Sequence, residues 1–204
     1  MITIIDYGLG NLGSVKNILK KLGYESRVSS SKKDIESSSH IVLPGVGAFD
    51  TGMNSLKELN LVDPLNYQVL VKEKPVLGIC LGAQLMTQSS EEGKSKGLGW
   101  FNASTEKFKF SKKDKFPLPN IGWREVYSPE NHFLLKNIEE PRFYFVHSYK
   151  LVSKDKDATI LLSKYENEFC AGLSKKNIHC VQFHPEKSHI YGMKLLKNFF
   201  DIYK

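Results

Sequence analysis

Three residues of this 204-residue chain have the types and settings needed for covalent chemistry at a carbonyl carbon: Cys80, His184 and Glu186. Cys80 ends an apolar run inside PVLGICLGAQ (Pro75 to Gln84), with Gly78 and Gly82 two residues to either side. Gly-x-Cys-x-Gly between a strand and a helix-like stretch (Ala83 to Ser89) has the form of a nucleophile elbow, whose sharp turn needs small neighbours around the nucleophile. A thiol over the first turn of a helix also meets free N–H groups and the positive dipole end, which favour the thiolate. Alone, the motif reads equally well as a buried cysteine in a glycine-bearing turn. About a hundred residues downstream stands Gln182-Phe-His-Pro-Glu186. Pro185 favours extended backbone before it, and residues two apart in an extended chain project to one side. Glu186 can then hold one imidazole nitrogen of His184 while the other takes the thiol proton. A lone His-Pro-Glu is an ordinary loop; combined with the cysteine elbow it makes a nucleophile, base and orienter.

The elements that must position these groups follow from the apolar pattern. Met1 to Asp6 reads as a buried strand, and Val15, Ile18, Leu19 and Leu22 fall at helical spacing with Gly23 as a stop. Between them Gly8 to Gly13 satisfies GxGxxG, which invites a dinucleotide reading. The strand-like Glu25 to Val28 is followed by Ser29 and Ser30 instead of the acid that would hold a ribose, so a tight turn is the better reading. His40 to Leu43 forms a strand running into Pro44-Gly-Val-Gly-Ala-Phe49, a turn placed where open sheets gather their sites. Amphipathic segments follow at Asp50 to Leu59 and Leu61 to Lys74, and then comes the strand ending at Cys80. Alternating strands and helices predict an α/β fold: an open, mostly parallel central sheet with helices on both faces. After Ser90, shorter alternating runs at Phe101 to Phe110, Arg142 to Tyr149, Ala158 to Tyr165, Phe169 to Ser174 and Ile178 to Phe183 predict an antiparallel extension. A last helix over Ile190 to Tyr203 closes the fold, and with no repeat, linker or low-complexity tract the reading is one domain over 1–204.

Composition narrows the function classes. A hydrophobic fraction of 41% supports a full core, and no apolar run is long enough to span a membrane. The first residues do not read as a signal peptide, and three cysteines are too few for a disulfide framework, so a cytoplasmic location is expected. Cys170 and Cys180 read as packing residues. The net charge of +7 is mostly scattered. Its one cluster, Thr105 to Phe116, interleaves five lysines with Phe108, Phe110 and Phe116, which fits a half-buried strand with a lysine-protected edge better than nucleic-acid binding. His179, Cys180, His184 and His189 match no common zinc spacing, and no metal is expected.

The motifs together resemble a known family. GICLGAQ (Gly78 to Gln84), PGVGAF (Pro44 to Phe49), YFVHSY (Tyr144 to Tyr149) and QFHPEKS (Gln182 to Ser188) are similar to the signatures of class I, triad-type glutamine amidotransferases, which have a flavodoxin-like fold. DYGLGN (Asp6 to Asn11) and PNIGW (Pro119 to Trp123) narrow the resemblance to the glutaminase subunits of imidazole glycerol phosphate synthases. The resemblance covers nearly the whole chain. It implies that Cys80 attacks the side-chain amide carbon of L-glutamine, with His184 as base and then acid and Glu186 orienting it. It further implies an oxyanion hole from the Leu81 N–H and one of Val46 or Gly47, and glutamine contacts at Gly45, Gly47, Gln84 and the backbone of His147, Ser148 and Tyr149. The His147 side chain is a positioning candidate, or simply a strand histidine satisfied by neighbours. No cofactor is implied.

Free ammonia would be protonated in water at neutral pH, so a partner must receive it. In the resembling family the partner is a (β/α)8-barrel cyclase in a heterodimer, which implies an interface at the loop Pro119, Asn120 to Trp123, Arg124. The family pattern has a histidine after that proline and an asparagine after that tryptophan, where this chain has Asn120 and Arg124; Ala83 also replaces a methionine. These departures leave the triad intact and bear on the partner. A related glutaminase supplying ammonia for amidination of a surface-polysaccharide sugar is the alternative acceptor system. A cysteine peptidase or a silent binding module on the same scaffold are the readings from other classes.

Overall fold

The computed structural model describes residues 1–110 and 116–203. The first half alternates strand and helix: β1 (Ile2–Ile5), α1 (Leu12–Lys21), β2 (Ser26–Ser29), α2 (Lys32–Glu36), β3 (His40–Gly45), α3 (Phe49–Glu58) and α4 (Val62–Asn66). A π-helical turn, Tyr67–Val71, then leads to β4 (Val76–Cys80) and α5 (Leu81–Leu85). The second half is mostly strand: β5 (Ser89–Ser90), β6 (Ala103–Lys107), β7 (Asn120–Tyr127), β8 (Arg142–His147), β9 (Tyr149–Ser153), β10 (Thr159–Tyr165), β11 (Asn167–Lys175) and β12 (Ile178–Val181), closed by α6 (His189–Asp201).

The main path through the sheet runs β2-β1-β3-β4-β12-β11-β10-β7-β8. Its first five strands are parallel, and the antiparallel extension begins where β12 meets β11. The parallel centre and antiparallel continuation are thus as the sequence implied. Strands β3 and β4 are buried at every position, as parallel strands covered on both faces must be. Alternate residues serve two cores. Val42, Leu77, Ile79 and Val181 pack with α1 and α6, while Ile41, Leu43, Val76 and Cys180 pack with α3, α4 and α5. Cys180 is fully buried, which explains its apolar role. Burial also pushes the Cys170 thiol up to about 12.

Several local expectations are corrected. The helix after Cys80 starts at Leu81 and stops at Leu85, because Ser89–Ser90 pairs with β6 as a strand. So short a helix contributes little macrodipole. Pro119 to Arg124 is not a loop: from Asn120 onward it is strand β7, paired antiparallel with β8. Pro119 and Gly122 read as turn residues, and the apolar Ile121 and Trp123 point outward while Asn120 and Arg124 point inward, so the usual strand pattern is hidden there. The GxGxxG segment forms a tight turn with positive φ at Gly8 (81°) and Gly10 (120°). In the lysine-phenylalanine stretch, β6 ends at Lys107, Phe108 is buried and Lys109 reaches out to Glu91; residues 111–115 lie outside the described residues.

Candidate active site

Cys80 is the last residue of β4, and parallel pairing sets it level with Gly45 at the end of β3. Its backbone turns sharply, at φ 54° and ψ −109°, a conformation that costs a non-glycine residue about 1–3 kcal/mol. The flanking glycines make the turn possible. A Cβ on Gly82 would lie 1.7 Å from the Leu43 carbonyl oxygen, and one on Gly78 would lie 2.7 Å from Met86 Cε and 3.0 Å from Ala83 N. The approach at Gly82 is to backbone and the nearest at Gly78 is to the buried Met86 side chain, so the elbow is closely packed on two sides. The Leu81 N–H, as a first-turn donor, has no intrahelical acceptor and is available to a ligand.

His184 follows β12, the strand beside β4. Its N–H donates to the Tyr144 carbonyl at 2.9 Å, and the Ser188 hydroxyl donates to the His184 carbonyl at 2.6 Å while accepting from Tyr144 N–H at 3.0 Å. The residue is thereby locked to β8. His184 itself is extended (φ −104°, ψ 91°), but Pro185–Lys187 is a 3-10 turn. Glu186 therefore meets the imidazole by curling back over it, not by the period of two of an extended strand. His184 Nδ1 lies 2.7 Å from Glu186 Oε1, with the two side chains only 1% and 2% exposed. The other ring nitrogen, Nε2, is buried and makes no hydrogen bond among the described residues. Burial disfavours the imidazolium, but Cys80 and the Glu186 carboxylate outweigh it and raise the pKa to about 10. At neutral pH the histidine thus holds a proton, beside the sulfur, ready for a leaving group.

Cys80 and His184 open into one cavity of about 280 Å³. Val46, Gly47, Leu81, Gln84, Pro119, His147, Ser148 and Tyr149 line it. That volume is near the lower end for ligand sites, roughly 300–1,000 Å³, and suits a small metabolite. Gly45 is buried and is not among the residues lining this cavity; a Cβ there would lie 2.1 Å from Tyr7 Oη and 2.9 Å from Leu81 Cβ, so its position demands close packing.

His147 is satisfied by neighbours. Its Nδ1–H donates to the Tyr149 carbonyl at 2.7 Å, so its Nε2 accepts from Asn120 Nδ2 at 3.0 Å. Burial lowers its pKa to about 4, with the Tyr149 carbonyl opposing and the charges of His184 and Arg124 assisting. It is therefore a neutral brace for the Ser148–Tyr149 wall.

The period of two in β7 separates the residues grouped as a partner interface. Ile121, Trp123 and Tyr127 are exposed on the outer face, while Asn120 and Val126 are fully buried on the inner one. Arg124 shares the inner face; its Nε–H donates to Asn120 Oδ1 at 2.9 Å and its guanidinium lies 4.5 Å from the Tyr165 ring centre. Asn120 cannot touch a partner directly, whereas Pro119 and Trp123 are exposed.

Two residues of the site, one in the cavity wall and one behind it, escaped the sequence reading. Glu92 lines the cavity from a polar loop, with Oε2 accepting from Phe49 N–H at 2.9 Å; only a fold that brings that loop to the β3–α3 turn reveals it. Gln182, fully buried, places Nε2 3.7 Å from Cys80 Sγ, while its Oε1 accepts from Gln84 Nε2 at 3.1 Å. Its position in QFHPE was the available signal.

Comparison with known proteins agrees with this geometry. The family model described as glutamine amidotransferase class-I matches residues 3–202. The chain is 52% identical over 200 residues to the imidazole glycerol phosphate synthase subunit HisH 2 of Methanococcus maripaludis, covering 98% of each. It is 46% identical over 203 residues to the subunit of the same name from Pseudomonas aeruginosa, covering 99% of this chain and 100% of the relative. Among solved structures, one described as a glutamine amidotransferase superposes with a TM-score of 0.79 at 16% identity, over 100% of this chain and 99% of the other. PurLQS from Thermotoga maritima superposes with a TM-score of 0.74 at 17% identity, over 100% and 98%. These structures share the fold.

Proposed function

The chain belongs to the class I glutamine amidotransferase family, and from that premise we propose that it is the glutaminase subunit of an imidazole glycerol phosphate synthase, serving histidine biosynthesis. The observation that carries this reading is that His184, paired with the buried Glu186 side chain, opens together with Cys80 into a cavity sized for an amino acid. The Cys80 sulfur attacks the carboxamide carbon of L-glutamine. The developing oxyanion is met by the Leu81 N–H and an N–H of Val46 or Gly47. His184 gives its proton to the departing nitrogen, and ammonia leaves. It then takes a proton from water as the thioester is hydrolysed to glutamate, with Glu186 holding Nδ1 throughout. Glu92, the acidic residue among those lining the cavity, complements the α-ammonium of the substrate. A cavity this small also weighs against a peptidase, which must admit chain on both sides of the scissile bond.

The ammonia needs a receiving subunit. The exposed Ile121, Trp123 and Tyr127 on β7, beside Pro119 at the cavity rim, form an apolar face suited to a barrel-type synthase. Relatives named as subunits of a synthase support a heterodimer. A biosynthetic role of this kind, with no helix among the described residues long and apolar enough to cross a membrane, fits a cytoplasmic setting.

A second acceptor, a sugar amidination system with its own barrel partner, fits the same chemistry; Asn120 and Arg124 depart from the family pattern but lie on the inner face of β7, so they bear on the partner only through the strand they support. A glutamine-analogue electrophile should label Cys80 in the wild type and not in Cys80→Ala. Labelling of Cys170 or Cys180 with Cys80 spared would overturn the site. Complementation of a strain lacking the histidine-pathway glutaminase separates the acceptors: growth supports the first, and failure with capture of another barrel protein supports the second.

A further inference from the structure

Gln182 occupies a position that the triad does not account for. It is fully buried, directly after β12, and its main-chain N–H donates to the Ala171 carbonyl at 2.8 Å, which fixes the residue to β11. Its side-chain amide joins two groups of the cavity wall. Nε2 lies 3.7 Å from Cys80 Sγ, a long contact but within the range of N–H donation to sulfur, and Oε1 accepts from Gln84 Nε2 at 3.1 Å. The chain of bonds has a direction: Gln84 N–H to the Gln182 oxygen, then Gln182 N–H to sulfur. Donors point toward the sulfur at both links, the polarity that suits an anion and not a protonated thiol.

The remaining supports for a sulfur anion are few. The helix after Cys80 has five residues, too short for much dipole. No lysine or arginine lines the cavity among the described residues. His184 supplies charge, but it must give up its proton as ammonia departs. A neutral amide that cannot titrate keeps donating through the whole cycle, including the step in which sulfur is again the leaving group from the thioester.

We propose, resting on the glutaminase reading above, that Gln182 is a catalytic residue that stabilises the Cys80 thiolate through its Nε2–H. Through its oxygen it also fixes the Gln84 amide, so that the Gln84 oxygen remains as the acceptor available to substrate. Desolvated amide donors to an anion are worth more than neutral pairs, and loss of one leaves the anion less favoured.

The test is the pH dependence of Cys80 alkylation by iodoacetamide, a small electrophile that needs no glutamine recognition, in wild type, Gln182→Met and Gln182→Glu. Met keeps the volume and removes the donor; Glu keeps the shape and adds acid character. Alkylation in both variants should need higher pH, by about one unit in Met and more in Glu, as a pair property of Cys80 and His184. Glutaminase kcat should fall about tenfold, and KM should rise from the freed Gln84. Thermal melts establish that each variant is folded, and either folded variant suffices. An alkylation profile coincident with wild type in a folded variant overturns the proposal. Failure of the glutaminase reading is separate: the wild type itself would then alkylate but release no ammonia from glutamine.

Discussion

Asn120 and His147 are register partners across the β7–β8 ladder, and their side chains bond at 3.0 Å, Nδ2–H to Nε2. Both are buried, and the bond continues outward to Arg124 and inward to the Tyr149 carbonyl. The cavity wall at Ser148 and Tyr149 therefore stands on a polar chain that begins on the inner face of the strand whose outer face carries Trp123.

Asn120→Ala removes the middle of that chain, leaving His147 Nε2 and Arg124 Nε without their partner. A buried polar group left unpaired costs about 1–3 kcal/mol. Urea unfolding should show a loss in that range, and KM for glutamine should rise more than kcat falls. An unchanged KM would mean that the Tyr149 wall does not depend on the brace.

The His184 pKa, raised from 6.5 to about 10, makes stability depend on pH with a definite sign. A group more basic in the folded state contributes fully below its unfolded pKa and loses that contribution as pH rises through the folded value. The stabilising contribution of His184 should accordingly be lost as pH rises from about 6.5 through 10, and Glu186→Gln should reduce that contribution. Urea midpoints measured across this range in both proteins decide the matter.

Gly82→Ala should fail by backbone collision, since the added Cβ would meet the Leu43 carbonyl oxygen at 1.7 Å and β3 cannot retreat from β4. A loss of about 3 kcal/mol or more is expected. Thermal unfolding by circular dichroism reads it, and a melting temperature equal to wild type would contradict the packing at the elbow.

Trp123 is 43% exposed and stacks on His189 with ring centres 5.6 Å apart. Trp123→Ala should change the stability of the isolated subunit by no more than about 1 kcal/mol. Its affinity for the barrel subunit should weaken by about thirtyfold, near 2 kcal/mol, as for an aromatic anchor. Arg124→Ala should do the reverse, because its guanidinium lies over Tyr165 inside the fold. Calorimetric titration with the partner and urea unfolding of each variant separate the two effects.

The sequence by itself determined the parallel half of the sheet, the elbow at Cys80 and the presence of a histidine-acid pair. Those features are written locally: unbroken apolar runs such as HIVLPG and VLGIC, glycines at fixed offsets, and a proline between His184 and Glu186. Tertiary structure alone decided the rest. Whether Pro185–Lys187 runs extended or curls is settled by Ser188 and Tyr144 bonding the turn to β8. Whether Asn120 and Arg124 face a partner or the interior is settled by the register of β7 with β8, because a shift of one residue would exchange the two faces. Glu92 reaches the cavity, and Gln182 the Cys80 sulfur behind it, only when segments far apart in the chain are laid side by side. Local pattern fixes which way a strand or turn can go; contacts between distant segments fix what each side chain touches, and no spacing along the chain encodes them.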